Sequence, residues 1–293
     1  MEGVLLRDGR CNLVAEVGIN HNGNLGLALK LMHKAKVAGF DVVKFQKRTI
    51  DVVYTKEELD AFRESPFANT ELGKTNRAQK LGLEFDRAEF DEIDRHAKAI
   101  DIAWTASPWD EASVDFLMRY DIPYIKIASA SVTDSNLIQH CCETKKPLWI
   151  STGMCDLDII KRVVDLIEVL NGNLQVIYHC TSTYPCPLED INLRGMLTLQ
   201  HIFPEYKIGY SGHETGVAPS LAAAVLGAAS VERHITESRA LYGSDQAASL
   251  EPKGFTRLCR DIRDWERFRG DGQVVIYDDE RPIIEKLRRK DTL

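Results

Sequence analysis

Four side chains in this 293-residue sequence have types and settings suited to chemistry. His213 in GYSGHE and His234 in SVERHIT each follow a short hydrophobic run in the last third of the chain, and Lys44 in DVVKFQ and Lys126 in YIKIAS do the same in the first half. Neutral imidazoles suit a divalent cation, whereas ammonium groups suit an anion. Both kinds at strand ends predict one site assembled from distant segments, as on the active face of a barrel enzyme.

The elements that must position them alternate between short strands and amphipathic helices. Strands are expected at Asn12–Val17, Val42–Gln46, Ile102–Ala106, Tyr124–Ile127, Leu148–Ser151, Gln175–His179, Lys207–Tyr210 and Ser230–His234. Helical periodicity marks Leu25–Ala38, Arg87–Ala99, Glu111–Tyr120, Ser135–Glu143, Leu157–Leu170, Leu193–Ile202, Gly216–Leu226 and Phe255–Phe268. Such alternation predicts a parallel sheet with right-handed crossovers. An open doubly wound sheet would ordinarily carry a glycine fingerprint after its first strand, and GINHNGN after Val17 does not fit it. Polar residues recur at the C-terminal ends of many strands instead, so the expected fold is an α/β (β/α)8 TIM barrel over residues 1–270.

Two segments fall outside the repeat. Arg48–Leu83, the long loop after strand 2, is expected to fold over the active face or reach a neighbour. Residues 271–293 are too few for a domain and read as a C-terminal extension, with a strand at Val274–Tyr277 and a basic helix at Ile284–Lys290.

Composition narrows the function classes. Hydrophobic content of 44% and charged content of 28% match globular averages. The longest apolar stretch, Val217–Val231, is interrupted by Pro219, Ser220, Gly227 and Ser230 and falls short of the ~20 apolar residues of a membrane span. The N-terminus lacks a secretory pattern, so a cytoplasmic location is expected. Seven cysteines without CxxC spacing argue against a disulfide framework or zinc ribbon. A net charge of -7 disfavours nucleic acid or anionic membrane as a partner, so an anionic ligand must find a local cationic pocket.

In order, the strand ends read AEVGINHNG, VVKFQ, WTASPWD, YIKIASAS, WISTGM, YHCTSTYP, GYSGHETG and ERHIT, followed by LYGSDQAASLEP. From Asn12 to Pro252 this series resembles the N-acetylneuraminate synthase (sialic acid synthase) family. The resemblance implies a transferase that condenses phosphoenolpyruvate with an N-acetylmannosamine-like aldose or its 6-phosphate, releasing phosphate and a nine-carbon 3-deoxy-2-ulosonic acid. It also implies a divalent ion, manganese or magnesium, held by His213 and His234 with water and substrate oxygens completing the shell. Lys44 and Lys126 would cradle carboxylate and phosphate with Ser129, Ser151 and Ser211. Glu16 is the match for a carboxylate that stabilises charge at C2 or steers the attacking water, although a glutamate paired with a lysine in the barrel interior reads equally well. Asp245 would bind sugar hydroxyls or assist proton transfer near the aldehyde. Asn20, Gln46, Thr105, Ser182 and Tyr184 match pocket-lining positions. His21 and His179 would be neighbours of the site rather than ligands.

The sequence departs from the family pattern in places. Gly212 stands where an aspartate is often found, Ser182 where some members carry asparagine, and Gln246 where many carry histidine. An antifreeze-like C-terminal domain, which supplies an arginine to the neighbour's site in full-length bacterial members, is not expected within these 293 residues. Arg48, Arg63, Arg77 or Arg239 is the expected substitute, and an acceptor 6-phosphate would suit such a residue. A homodimer is the default expectation from the commonness of two-fold assemblies. Related seven- or eight-carbon ulosonate synthases, a metal-dependent sugar aldolase and a non-catalytic sugar-phosphate sensor are the alternative readings.

Overall fold

The computed structural model describes residues 6–290. Each hydrophobic run forms a strand: β1 (Asn12–Glu16), β2 (Val42–Lys47), β3 (Ala103–Pro108), β4 (Ile125–Ile127), β5 (Pro147–Ser151), β6 (Asn173–Cys180), β7 (Lys207–Gly212) and β8 (Ser230–His234). The ladders are parallel and run β3-β2-β1-β8-β7-β6-β5-β4, so the ends of the sheet, β3 and β4, are consecutive in sequence. The Thr105 hydroxyl spans the gap between them, donating to the Tyr124 carbonyl at 2.6 Å. Helices occupy the crossovers, and the expected (β/α)8 barrel is present, with its closure nearly complete.

Local chemistry starts the helices where the chain leaves the barrel top. Asp86, Asp110, Asp134 and Asp156 each precede a helix and accept a hydrogen bond from a backbone N–H of its first turn. Each cap contributes about 0.5–2 kcal/mol. Between strands and helices lies a continuous apolar layer that includes Leu13, Val43, Ile127, Ile150, Ile177 and Val231. A second apolar cluster, Val14, Val42, Tyr124, Trp149, Val176 and Tyr178, joins the inward faces of the strands. Tyr124 and Trp149 stack there at 3.6 Å between ring centroids. This plug fills the barrel below the strand ends and leaves polar side chains to form its upper layer.

The long loop after β2 carries three short helices, Ile50–Val53, Lys56–Asp60 and Asn76–Leu83. Asp110 pins its start, accepting from the Thr49 backbone N–H at 2.6 Å and the Thr49 hydroxyl at 2.9 Å. The strand expected at Val274–Tyr277 does not form. The segment is rich in β-branched residues, but no described strand pairs with it, and its four side chains are exposed. The basic helix begins three residues earlier than expected, at Arg281, and ends at Leu287. Among the described residues no helix is long and apolar enough to cross a membrane.

Candidate active site

Strand register gathers the chemistry. In the β8-β1-β2 ladder, His234 stands beside Glu16 and Glu16 beside Lys44, so three functional side chains share one layer. One pleat deeper on β8, Glu232 is in register with Ser211 of β7, and Lys126 reaches the same point from β4. The side chains converge on a cavity of about 460 Å³ at the C-terminal ends of the strands. Its lining includes Glu16, Lys44, Gln46, Lys126, Ser129, Ser151, Ser182, Tyr184, Ser211, His213, His234 and Asp245, twelve of the fourteen residues expected from the sequence. The volume lies within the usual range for small-molecule sites.

The floor of the cavity is a compensated charge cluster. Lys44 Nζ lies 2.8 Å from Glu16 Oε2 and 3.7 Å from Glu232 Oε1. Lys126 Nζ donates to both Glu232 oxygens at 3.1 Å and sits 4.0 Å from the Tyr178 ring centroid. Ser211 adds a hydroxyl donor to Glu232 at 3.2 Å. Burial disfavours the Glu232 carboxylate, but Lys126 and Lys44 outweigh it and hold the group down at about 2. Glu16 behaves differently. Burial pushes it up to about 7, and the Glu232 charge adds to that shift while Lys44 and Gln46 only partly oppose it. Lys44 is kept above its ordinary value because Glu16 and Glu232 overcome the effect of burial, whereas burial wins at Lys126 and lowers it.

The imidazoles meet across the cavity with ring centroids 5.5 Å apart. His213 Nδ1 lies 2.8 Å from the Thr181 carbonyl, which can only accept, so Nδ1 carries the proton and Nε2 is left with its lone pair. Tyr184 packs against the same ring at 4.0 Å. Burial opposes protonation of His213, but Cys180 and the Thr181 carbonyl raise its affinity for a proton; a cation must compete with that proton for Nε2. His234 is held neutral far below the usual imidazole range by burial, His213 and Lys44. Its Nδ1 has no hydrogen-bond partner and lies 3.6 Å from Asp245 Oδ2. A buried orphan nitrogen beside a second imidazole and a carboxylate fits a divalent ion. Among the described residues no three His, Cys, Asp or Glu side chains form a ready-made ligand set, so water and substrate oxygens must supply the rest.

Small residues keep the cavity open. Gly18 has φ +53°, and a Cβ there would lie 3.1 Å from Glu16 Oε1 and 3.3 Å from His234 Cε1. At Gly153 a Cβ would fall 2.1 Å from the Ser182 hydroxyl and 2.7 Å from that of Ser129. Its backbone N–H donates to Ser129 at 3.0 Å, fixing one of the hydroxyls that face the cavity.

Two of the expected residues lie outside this lining. Thr105 is fully buried and uses its hydroxyl for barrel closure. Asn20 directs Nδ2 to the Ile235 carbonyl at 2.9 Å and the Ser249 hydroxyl at 2.7 Å, which ties the β1 loop to the segment after β8. Of the four arginines, only Arg48 lines the cavity; Arg63 binds Asn76, Arg77 pairs with Asp51, and Arg239 is exposed. His21 stacks on Phe85 and His179 contacts the Ile191 carbonyl, both away from the lining. Sequence reasoning missed Glu232, although its two-residue spacing from His234 places it on the same face of β8. It also missed Tyr54, Lys80 and Trp109, which the long loop and the β3 end bring to the rim.

On the opposite face of the same strand, Arg233 and Glu214 form an ion pair of 2.6 Å with both side chains 0% exposed. Each neighbours a site histidine in sequence. Arg233 also donates to the Gly216 carbonyl at 2.8 Å and the Ser220 hydroxyl at 2.9 Å, and Glu214 accepts from Tyr210 at 2.8 Å and Ser220 at 2.7 Å. This knot ties the end of β7 to β8 and so fixes the backbone from which His213 and His234 project.

In sequence and in fold the chain is similar to known synthases. Human N-acetylneuraminate-9-phosphate synthase is 38% identical over 278 residues, covering 94% of this chain and 76% of its own length. The N,N'-diacetyllegionaminic acid synthase of Legionella pneumophila is 36% identical over 287 residues, 97% of this chain and 80% of the relative. The crystal structure of the N-acetylneuraminic acid (sialic acid) synthetase of Leptospira borgpetersenii serovar Hardjo-bovis, in complex with citrate, aligns with a TM-score of 0.80 at 27% identity, covering 96% of this chain and 93% of that one. A truncated 3-deoxy-D-arabino-heptulosonate 7-phosphate synthase from Thermotoga maritima shares the fold at a TM-score of 0.66 and 12% identity. Residues 31–274 match the NeuB family, and the chain belongs to that family.

Proposed function

We propose that this enzyme condenses phosphoenolpyruvate with an N-acylmannosamine-like aldose, or its 6-phosphate, to a nine-carbon 3-deoxy-2-ulosonic acid and inorganic phosphate. The observation that carries the reading is the convergence of His213, His234, Lys44 and Lys126 on one cavity of about 460 Å³. In the reaction, C3 of the enolpyruvyl ester bonds to the aldehyde carbon, water adds to C2, and the C2 phosphate ester breaks to release phosphate.

Lys44 and Lys126 hold the substrate's phosphate and carboxylate, with the hydroxyls of Ser129, Ser151, Ser182 and Ser211 as further donors. Because both lysines are already paired with carboxylates, the floor is close to neutral before substrate arrives. Such a floor keeps two charges oriented without the repulsion of a bare dication, and in this reading Glu16 and Glu232 stabilise the positive character that develops at C2. Glu16, at about 7, is matched to accept a proton from the attacking water near neutral pH. Asp245, which burial raises above the usual carboxylate range, serves the acceptor's hydroxyls beside His234. His213 and His234 would hold a divalent ion, manganese or magnesium, which when bound supplies Lewis acidity for the aldehyde oxygen.

The test is phosphate release from phosphoenolpyruvate with a panel of aldoses and aldose 6-phosphates, with manganese and after chelation. Aldose-dependent release that chelation abolishes is expected. Product formation without phosphate release would assign the barrel to aldolase chemistry instead.

A further inference from the structure

The two lysines of the floor are held unequally. Lys44 Nζ has the Glu16 carboxylate at 2.8 Å, Glu232 at 3.7 Å and the Ser107 hydroxyl at 3.1 Å. Among the described residues, Lys126 has only the Glu232 carboxylate within ion-pairing distance, and it shares that group with Lys44 and Ser211. An ammonium carries three donors, and the two Glu232 oxygens account for at most two of them. The other contact is aromatic: the Tyr178 ring centroid lies 4.0 Å from Lys126 Nζ.

The surroundings fix that ring. Tyr178 belongs to the apolar plug inside the barrel and is fully buried. In register with it on β7 stands Gly209, where a Cβ would fall 2.7 Å from the ring, so the close approach of ring and strand requires glycine. The Tyr178 hydroxyl donates to Ser230 at 2.7 Å, and Ser230 donates to the Asn12 carbonyl at 3.0 Å, which tethers the ring to β8 and β1. Filling the plug demands none of this, because an aliphatic side chain does it without a hydroxyl to satisfy, as Val176 shows two residues earlier. What the ring adds is an electron-rich face, whose attraction for an ammonium is strongest where water is excluded.

We propose that Tyr178 is a positioning residue of the anion cradle, its ring face holding the Lys126 ammonium in place for the carboxylate or phosphate of phosphoenolpyruvate. The inference rests on the synthase reading above and adds to it a residue from beneath the floor that does not itself line the cavity. The ionisable groups facing Lys126 are Glu232 of β8, Lys44 of β2 and Cys180 and Tyr178 of β6; burial and Lys44 favour the neutral amine and outweigh the opposing effect of Glu232 and Cys180. The ring acts against that loss of charge. Tyr178 itself stays a neutral phenol, since burial raises it well above its ordinary value.

The experiment measures phosphate release in Tyr178→Leu, Tyr178→Phe and Ser230→Ala, with a thermal melt of each. Tyr178→Leu should raise the KM for phosphoenolpyruvate about 30-fold, the scale of a desolvated cation–π contact, while the KM for the aldose holds. It should also move the alkaline limb of kcat/KM for phosphoenolpyruvate down by about one to two pH units. Tyr178→Phe keeps the ring and Ser230→Ala removes only its tether, so both should retain the wild-type KM and limb even where they melt lower. Should Tyr178→Leu fail to fold, phenylalanines of increasing ring fluorination at position 178 weaken the ring face at nearly constant shape, and the KM for phosphoenolpyruvate should rise with each step. An unchanged KM and limb in Tyr178→Leu, an equal loss in Tyr178→Phe, or a KM indifferent to fluorination would overturn the positioning role and leave the synthase reading in place. No phosphate release by the wild type with any aldose would overturn both.

Discussion

Strand β8 presents charge on both faces, and the two faces are built on opposite principles. Outward, Arg233 and Glu214 are sealed together with Tyr210, Ser220 and the Gly216 carbonyl, and both side chains are 0% exposed. Inward, Glu232 and His234 meet Lys126, Lys44 and Glu16 at the floor of an open cavity, where the His234 Nδ1 atom is unpartnered and the Glu16 carboxyl rests near neutrality. The lesson is that ionisable residues alone do not mark a site. A buried pair closed by its neighbours organises the backbone, whereas a cluster left with unfilled valences facing a cavity is available for chemistry.

Breaking the sealed face should have the largest effect. Arg233→Met strands the Glu214 carboxylate in the interior, and chemical denaturation should report a loss of about 3–5 kcal/mol. Replacing both members with apolar residues should recover much of that loss. If Arg233→Met left stability unchanged, the outer pair would not be the structural partner in this comparison.

Breaking the open face should cost activity rather than folding. His234→Ala is expected to cut metal-dependent turnover by about 10²- to 10³-fold, the scale of removing a transition-state electrostatic partner, while the barrel melts close to the wild-type temperature. Unchanged turnover would remove His234 from the mechanism. Gly153→Ala should have a smaller effect. Its Cβ would collide with the Ser182 and Ser129 hydroxyls, so the KM for phosphoenolpyruvate should rise by an amount corresponding to about 1–3 kcal/mol, with little change in secondary structure by circular dichroism.

The mildest probe is pH. Glu16 ionises at about 7, so a base role predicts that kcat/KM climbs about tenfold per pH unit below that value and then levels off. Glu16→Gln should remove this limb and leave any limb that belongs to the substrate phosphate. The sign for stability is reversed. A carboxyl raised from 4.5 to about 7 contributes stability that is fully present below 4.5 and is lost as pH rises through 7. Glu232, lowered to about 2, contributes stability that is present above 4.5 and is lost as pH falls toward 2. The site therefore gains its base over the pH range in which it gives up part of the stability from Glu16.

Much of this division was legible in the sequence, for particular reasons. Lys44, Lys126, His213 and His234 lie in or just after strands built from short apolar runs, and alternation with helices fixes which end of the barrel they share. Glu232 and Arg233 were missed because both sit inside the run that leads to His234, where alternation would have sent one inward and one outward. Thr105 and Asn20 carry the polarity of site residues, yet their hydrogen bonds close the barrel and tie its loops. Partners so distant in sequence leave no local signal. Val274–Tyr277 has a strand composition without a strand's partner, and composition alone does not reveal whether a partner lies within reach. The loop that delivers Lys80 and Tyr54 was visible as an insertion, but its direction depends on tertiary anchors such as the Thr49 to Asp110 bonds.

The central claim is that the imidazole pair and the lysine pair serve one cavity. Manganese-induced relaxation of the ³¹P signal of phosphoenolpyruvate tests it most directly, since the effect requires the ion and the phosphate to occupy the same site. Strong enhancement in the wild type, lost in His234→Ala and in Lys126→Met, is the predicted result. Tight binding of both ligands to the wild type with no relaxation enhancement would contradict the account.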